Sequence, residues 1–116
     1  MLREYRFKKT YIATGYTDLR YGVNGLSILV VQQFKLNPFD EGTLFLFCGK
    51  KADRIKGIVW EGDGFLMVYK RVEKGKYQWP RNRNELKELS TQQYLNLVNG
   101  LLIEPSIRKV HPDQAG

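Results

Sequence analysis

Between Leu44 and Trp79 the sequence offers four strand-like runs joined by connections too short to cross a sheet. The runs are Leu44–Cys48, Arg54–Trp60, Phe65–Arg71 and Lys76–Trp79. The connections are Gly49–Asp53, Glu61-Gly62-Asp63-Gly64 and Val72–Gly75. Parallel neighbours need a crossover of about a dozen residues or more, so these runs predict an antiparallel meander. The middle connection is the strongest hairpin signal, because glycines beside an aspartate readily take positive φ.

The flanks read differently. Thr10–Thr14 predicts a short strand stopped by Gly15. Thr17 or Asp18 is a candidate cap for a helix running to about Lys35, with Val23, Leu26, Leu29, Val30 and Phe34 on one face. Ile28 falls off that face; by composition Leu26–Val31 also suits a strand, and the helix is preferred. Asn37-Pro38 ends it, since a residue before proline is pushed out of the helical region. Near the C-terminus Ser90 and Gln93 fit a capping box, Leu89 and Tyr94 a hydrophobic staple, and Gly100 a stop. The expectation is an α+β fold: a mainly antiparallel β-meander with two principal helices packed on one face. Residues 1–9 read as a basic arm or edge, 10–103 as a single globular domain and 104–116 as a tail.

Composition narrows the function. Of 116 residues 42% are hydrophobic, enough to bury a core. Cys48 is the single cysteine and sits in an apolar run, which excludes a disulfide scaffold and reads as an inert buried thiol. His111 is the single histidine, so no zinc-site spacing exists. No phosphate-loop or serine-nucleophile motif occurs. No apolar run is long enough to cross a bilayer, and the first residues lack the apolar core of a signal peptide. The expectation is a cytoplasmic protein without a membrane partner.

The net charge is +7, and eleven of the nineteen Lys and Arg residues fall between 49 and 88. Such an excess points to a polyanionic partner. In a meander the Gly49–Asp53 and Val72–Gly75 turns share one end of the sheet. That end collects Lys50, Lys51, Arg54, Lys56, Lys70, Arg71, Lys74 and Lys76, opposed locally by Asp53 and Glu73. Glu61 and Asp63 lie at the other end. Basic groups neutralise phosphates and exposed aromatics stack on bases. Tyr69, Tyr77 and Trp79 are therefore candidate stacking residues, against the competing reading that they fill the core. Asp18, Asp53, Glu61 and Asp63 fit caps and turns better than a metal site. No catalytic residue, metal or cofactor is expected. A two-metal nuclease would need Asp18, Asp53 and Asp63 to converge.

A family resemblance emerges from the order of these segments. Tyr11-Ile12-Ala13-Thr14-Gly15, Thr17-Asp18-Leu19-Arg20, Gly22 and Asn24-Gly25-Leu26 resemble the opening of a TnpB-type accessory protein. This is the second open reading frame of the bacterial insertion-sequence family numbered sixty-six. The likeness continues through Leu44–Gly49, Asp53-Arg54-Ile55-Lys56, Trp60–Phe65, Tyr69-Lys70-Arg71, Gly75-Lys76-Tyr77 and Trp79-Pro80. Two positions depart from the pattern: Tyr21 stands where the family often has a basic residue, and Glu61 where it often has aspartate. The RNA-guided nucleases that share the gene label are much longer and carry motifs absent here.

The resemblance implies an accessory factor in transposition that works beside a separately encoded transposase. Together with the charge it predicts a non-enzymatic protein that binds DNA, or the transposase–DNA complex, through the eight basic residues above. Arg20 joins them as a secondary candidate from the Thr-Asp-x-Arg segment. The alternative is a protein–protein adaptor of the transposase without DNA contact, which an exposed apolar patch would favour.

Overall fold

The computed structural model describes residues 7–81 and 86–99. Five strands form one sheet: β1 (Lys9–Ala13), β2 (Thr43–Cys48), β3 (Arg54–Trp60), β4 (Phe65–Arg71) and β5 (Leu86–Leu89). Their order across the sheet is β4-β3-β2-β1-β5. Helix α1 (Val23–Ile28) continues into a π-helical turn at Leu29–Gln33, and α2 (Thr91–Val98) follows β5. The class is α+β and the pairing mainly antiparallel, as the turn spacing predicts. The β2–β3 and β3–β4 hairpins pair antiparallel as expected, in a register running from Leu44↔Val59 to Cys48↔Ile55 and from Arg54↔Arg71 to Trp60↔Phe65.

The helices do not share a face. Residues of β2 alternate between two cores. Phe45 and Phe47 pack with Leu26 and Val30 of the first helical segment. Leu44, Leu46 and Cys48 pack with Tyr94, Leu97 and Val98 of α2. The topology supplies the reason. β1 and β2 are parallel, so the chain between them must cross over one face, carrying α1 with it. After β5 pairs antiparallel with β1, the chain folds α2 over the other face. All six residues of β2 are accordingly buried, and Leu44–Cys48 form a continuous apolar run of the kind found in strands covered on both sides.

Two further expectations are corrected. The run Lys76–Trp79 is not a strand. After β4, an edge strand, the chain must reach β5 at the opposite edge. This stretch crosses the α2 face as an irregular segment anchored by buried Tyr77 and Trp79. The Tyr77 amide donates to Ala52 O at 2.7 Å, and the Trp79 indole Nε1–H donates to Ala13 O at 2.8 Å. The first helix begins at Val23, not at Thr17 or Asp18, with Gly22 at its cap and no side-chain cap bond. Asp18 serves a tight turn instead, its Oδ1 accepting the Arg20 amide at 3.0 Å. The helical segment ends at Gln33, short of the expected Lys35, and the chain is turned by Lys35 at φ +61° rather than stopped by Asn37-Pro38.

The C-terminal helix starts as the sequence predicts. Ser90 Oγ accepts the Gln93 amide at 3.1 Å, and Gln93 Oε1 accepts the Ser90 amide at 2.9 Å. Its expected stop at Gly100, and residues 101–116 with His111, lie outside the described residues, as do residues 1–6 of the expected arm. Gly57 lies where the sheet leaves no room for a side chain. A Cβ there would sit 2.8 Å from Leu46 Cδ2 and 3.0 Å from both Leu44 Cδ1 and Val68 Cγ2. Leu46, Leu44 and Val68 thus close over the β3 backbone itself.

Candidate nucleic-acid interface

The β3–β4 hairpin brings the two expected turns to one end of the sheet. The Val72 amide donates to Asp53 O at 2.8 Å, which ties the end of β4 to the β2–β3 turn. Beside this end runs the segment 16–20. Gly15, at φ +80°, turns the chain out of β1, and its amide bonds Pro80 O at 2.8 Å. The Thr17 amide then donates to Cys48 O at 2.8 Å, and Leu19 packs against Gly49. The result is an open groove of about 810 Å³ between segment 16–20, turn 49–53 and the ends of β3 and β4.

Arg20, Lys50, Lys51, Arg54 and Lys56 line the groove, with Tyr16 and Tyr69, against two carboxylates, Asp18 and Asp53. Both carboxylates face an arginine. Arg20 forks onto Asp18, with Nη2 to Oδ2 at 2.7 Å and Nε to Oδ1 at 3.0 Å. That fork holds the Asp18 carboxyl down at about 2. The Arg20 side chain is still 91% exposed, so its charge projects outward. Arg54 Nε lies 3.2 Å from Asp53 Oδ1, which lowers the Asp53 pKa and raises that of Arg54. Lys56 donates to Tyr21 O at 3.2 Å and sits 5.9 Å from the centroid of the Tyr69 ring. Among the described residues no carboxylate lies within ion-pair distance of Lys50, Lys51 or Lys56.

The sequence-derived rim therefore divides. Lys50, Lys51, Arg54 and Lys56 converge, and Arg20, a secondary candidate in the sequence, belongs with them. Arg71 lies opposite Arg54 on the same face but outside the groove, bonded to Glu73 at 3.3 Å. Lys70 pairs with Ile55 and so lies on the α2 face, turned from the rest by strand alternation. Lys74 and Lys76 are exposed on the loop after β4, away from the groove lining. Of the three candidate stacking residues, Tyr69 is 52% exposed, whereas Tyr77 and Trp79 are 3% and 5% exposed and fill the core. The sequence reading missed Tyr16, which lines the groove with the Arg81 guanidinium 5.0 Å from its ring centroid. Its signal is its place between Gly15 and Thr17-Asp18-Leu19-Arg20.

Other chemistry is spread out. Asp18 and Asp53 meet at the groove, but Asp63 sits in the β3–β4 turn at the opposite end of the hairpin. Among the described residues no group of three or more His, Cys, Asp or Glu could hold a metal ion. Cys48 is buried, and desolvation pushes its thiol up to about 12, too high for a nucleophile at neutral pH. No helix of the described residues is long and apolar enough to cross a membrane.

The family profile described as IS66 Orf2 like protein matches residues 8–108, nearly the whole chain. The chain belongs to the IS66 Orf2-like family. Membership assigns it an accessory role in insertion-sequence transposition, in association with a transposase system. Two proteins of Sinorhizobium fredii are similar to this Orf2-like chain. One, "Uncharacterized protein y4hO", is 36% identical over 93 residues, 80% of each chain. The other, "Uncharacterized protein y4jC", is 33% identical over 101 residues, 87% of this chain and 86% of its own. No solved structure matches the chain. The groove-forming segments 16–20 and 49–56 and Tyr69 all lie inside the matched region.

Proposed function

We propose that this Orf2-like protein is a non-enzymatic accessory factor that contacts DNA phosphates, alone or in the transposase–DNA complex, through the groove. The observation that carries the reading is the convergence of five cationic side chains on a groove with two carboxylates, each already facing an arginine. Lys50 and Lys51 are left to meet an external anion, and Lys56, bonded to Tyr21 O, adds its charge to the same groove. Lysines act as mobile point charges suited to phosphates, and neither helix carries a basic face for a major groove. Binding should thus be electrostatic and weakly sequence-selective. The test is binding to several unrelated DNA sequences over a range of salt. Lys50→Ala/Lys51→Ala/Lys56→Ala should weaken binding to all of them alike. Wild-type affinity in that variant would defeat the reading.

One observation favours the adaptor alternative. Ile28, Val31 and Phe39 are about half exposed, at 52%, 48% and 52%, and line a shallow hollow of about 210 Å³ with Pro38. An apolar patch of this kind suits a protein partner such as the transposase. Ile28→Ser/Val31→Ser/Phe39→Ser should then abolish transposase binding while the lysine variant leaves it intact.

A further inference from the structure

We propose that the groove takes single-stranded DNA in preference to an intact duplex, with a base stacked on Tyr69 and phosphates held by Arg20, Lys50 and Lys51. The inference rests on the DNA-binding reading above and adds the form of DNA recognised. Tyr69 follows Met67 and Phe65 on the α1 face of β4, where both neighbours pack into the core. Tyr69 alone of these three is mostly in the open, 52% exposed at the groove. A large ring in that place has given up burial that its neighbours in the strand obtain. Lys56 holds it from one side at 5.9 Å, and reaches across to Tyr21 O, joining the two walls. The far wall carries a second exposed ring, Tyr16, backed by Arg81.

Two cation-backed rings interleaved with phosphate-binding charges form a platform for nucleotides whose bases are unpaired. An intact duplex presents phosphates outside and keeps its base faces stacked within, so a ring that does not wedge between base pairs cannot reach them. Proteins that unstack a duplex insert protruding apolar wedges, whereas Tyr69 lies on a sheet face. The groove volume of about 810 Å³ falls in the range of clefts that enclose small ligands, which suits splayed nucleotides.

The experiment is fluorescence anisotropy of the full chain with one mixed-sequence oligonucleotide, single-stranded and as its duplex, at constant salt. Wild type should bind the single strand about tenfold tighter, the worth of one stacked base. Tyr69→Ala should lose about tenfold on the single strand and little on the duplex. Tyr69→Phe, which keeps the ring, should retain the preference, and circular dichroism should show all variants folded. Lys50→Ala/Lys51→Ala should weaken both forms. Equal wild-type binding to both forms, or equal loss on both in Tyr69→Ala, would overturn the single-strand inference and leave DNA binding standing. Binding to neither form at low salt would overturn DNA binding itself.

Discussion

The two ends of the β3–β4 hairpin are built on opposite plans. At one end the last pair is Trp60↔Phe65, and Phe39 closes over both, with ring centroids 5.0 to 5.3 Å apart. At the other end the last pair is Arg54↔Arg71. Like charges directly opposite on one face destabilise a ladder. Here each arginine is bonded to a neighbouring carboxylate, Asp53 or Glu73, and the groove opens beside them. The aromatic end holds the hairpin together by contact. The basic end tolerates repulsion because the aromatic end and the two-sided core carry the stability. A concentration of like charge that works against folding is what an anion-binding surface requires.

The two ends meet at the middle of the hairpin. Gly57 lies between the two ends, where a side chain has no room on β2 or β4. Gly57→Val should destabilise the protein by about 3 kcal/mol in denaturant unfolding, through overpacking. Trp60→Ala should cost about 2 kcal/mol, since Trp60 is only partly buried. The same variant should leave the oligonucleotide affinity of the folded protein unchanged, because the groove is a strand length away.

Changes at the basic end should do the reverse. Lys50→Ala/Lys51→Ala should alter stability by no more than about 0.5 kcal/mol. It should lower the magnitude of the log-affinity against log-salt slope by about 1.8 for duplex DNA, about 0.9 per phosphate contact. Arg71→Thr, which removes the like-charge pair, should raise stability by about 0.5 kcal/mol in the same denaturant assay.

The smallest effect is that of the Asp18–Arg20 fork. Asp18 has its pKa lowered from 3.8 to about 2, chiefly by the hydrogen bonds from Arg20. A carboxyl depressed on folding adds stability above its unfolded value, and that stability is lost as pH falls through the folded value. The fork should therefore contribute above pH 3.8 and fade toward pH 2, weakly, because both groups are solvated. In an NMR titration of side-chain carboxyls Asp18 should show its midpoint near 2, and Arg20→Ala should return it toward 3.8.

Local patterns in the sequence were reliable guides where local chemistry decides. The β2–β3 and β3–β4 hairpins, the Ser90–Gln93 capping box and the basic end of the sheet follow from turn residues and strand alternation. The sequence reading failed where long-range topology decides. The β1–β2 parallel pair joins residues 34 positions apart and the β1–β5 pair residues 73 to 79 apart, and no local signal announces them. From them follow the opposite faces of the helices and the passage of Tyr77 and Trp79 through the core. The run Leu44–Cys48 did carry a warning: without polar alternation, it already described a strand buried on both sides. In the groove, charge identified Lys50, Lys51, Arg54 and Lys56, and strand alternation accounts for the loss of Lys70. Tyr16 was hidden because its partner Arg81 is sixty-five positions away.

On this reading the open, charged end of the hairpin is where nucleic acid is held. The most direct measurement is amide chemical-shift mapping of the isotope-labelled full chain as an oligonucleotide is added at low salt. The largest changes should cluster at residues 16–20, 49–56 and 69, with the Phe39, Trp60 and Phe65 end unmoved. Shifts centred on that aromatic end or on Ile28 and Val31, or no shifts at all, would contradict it.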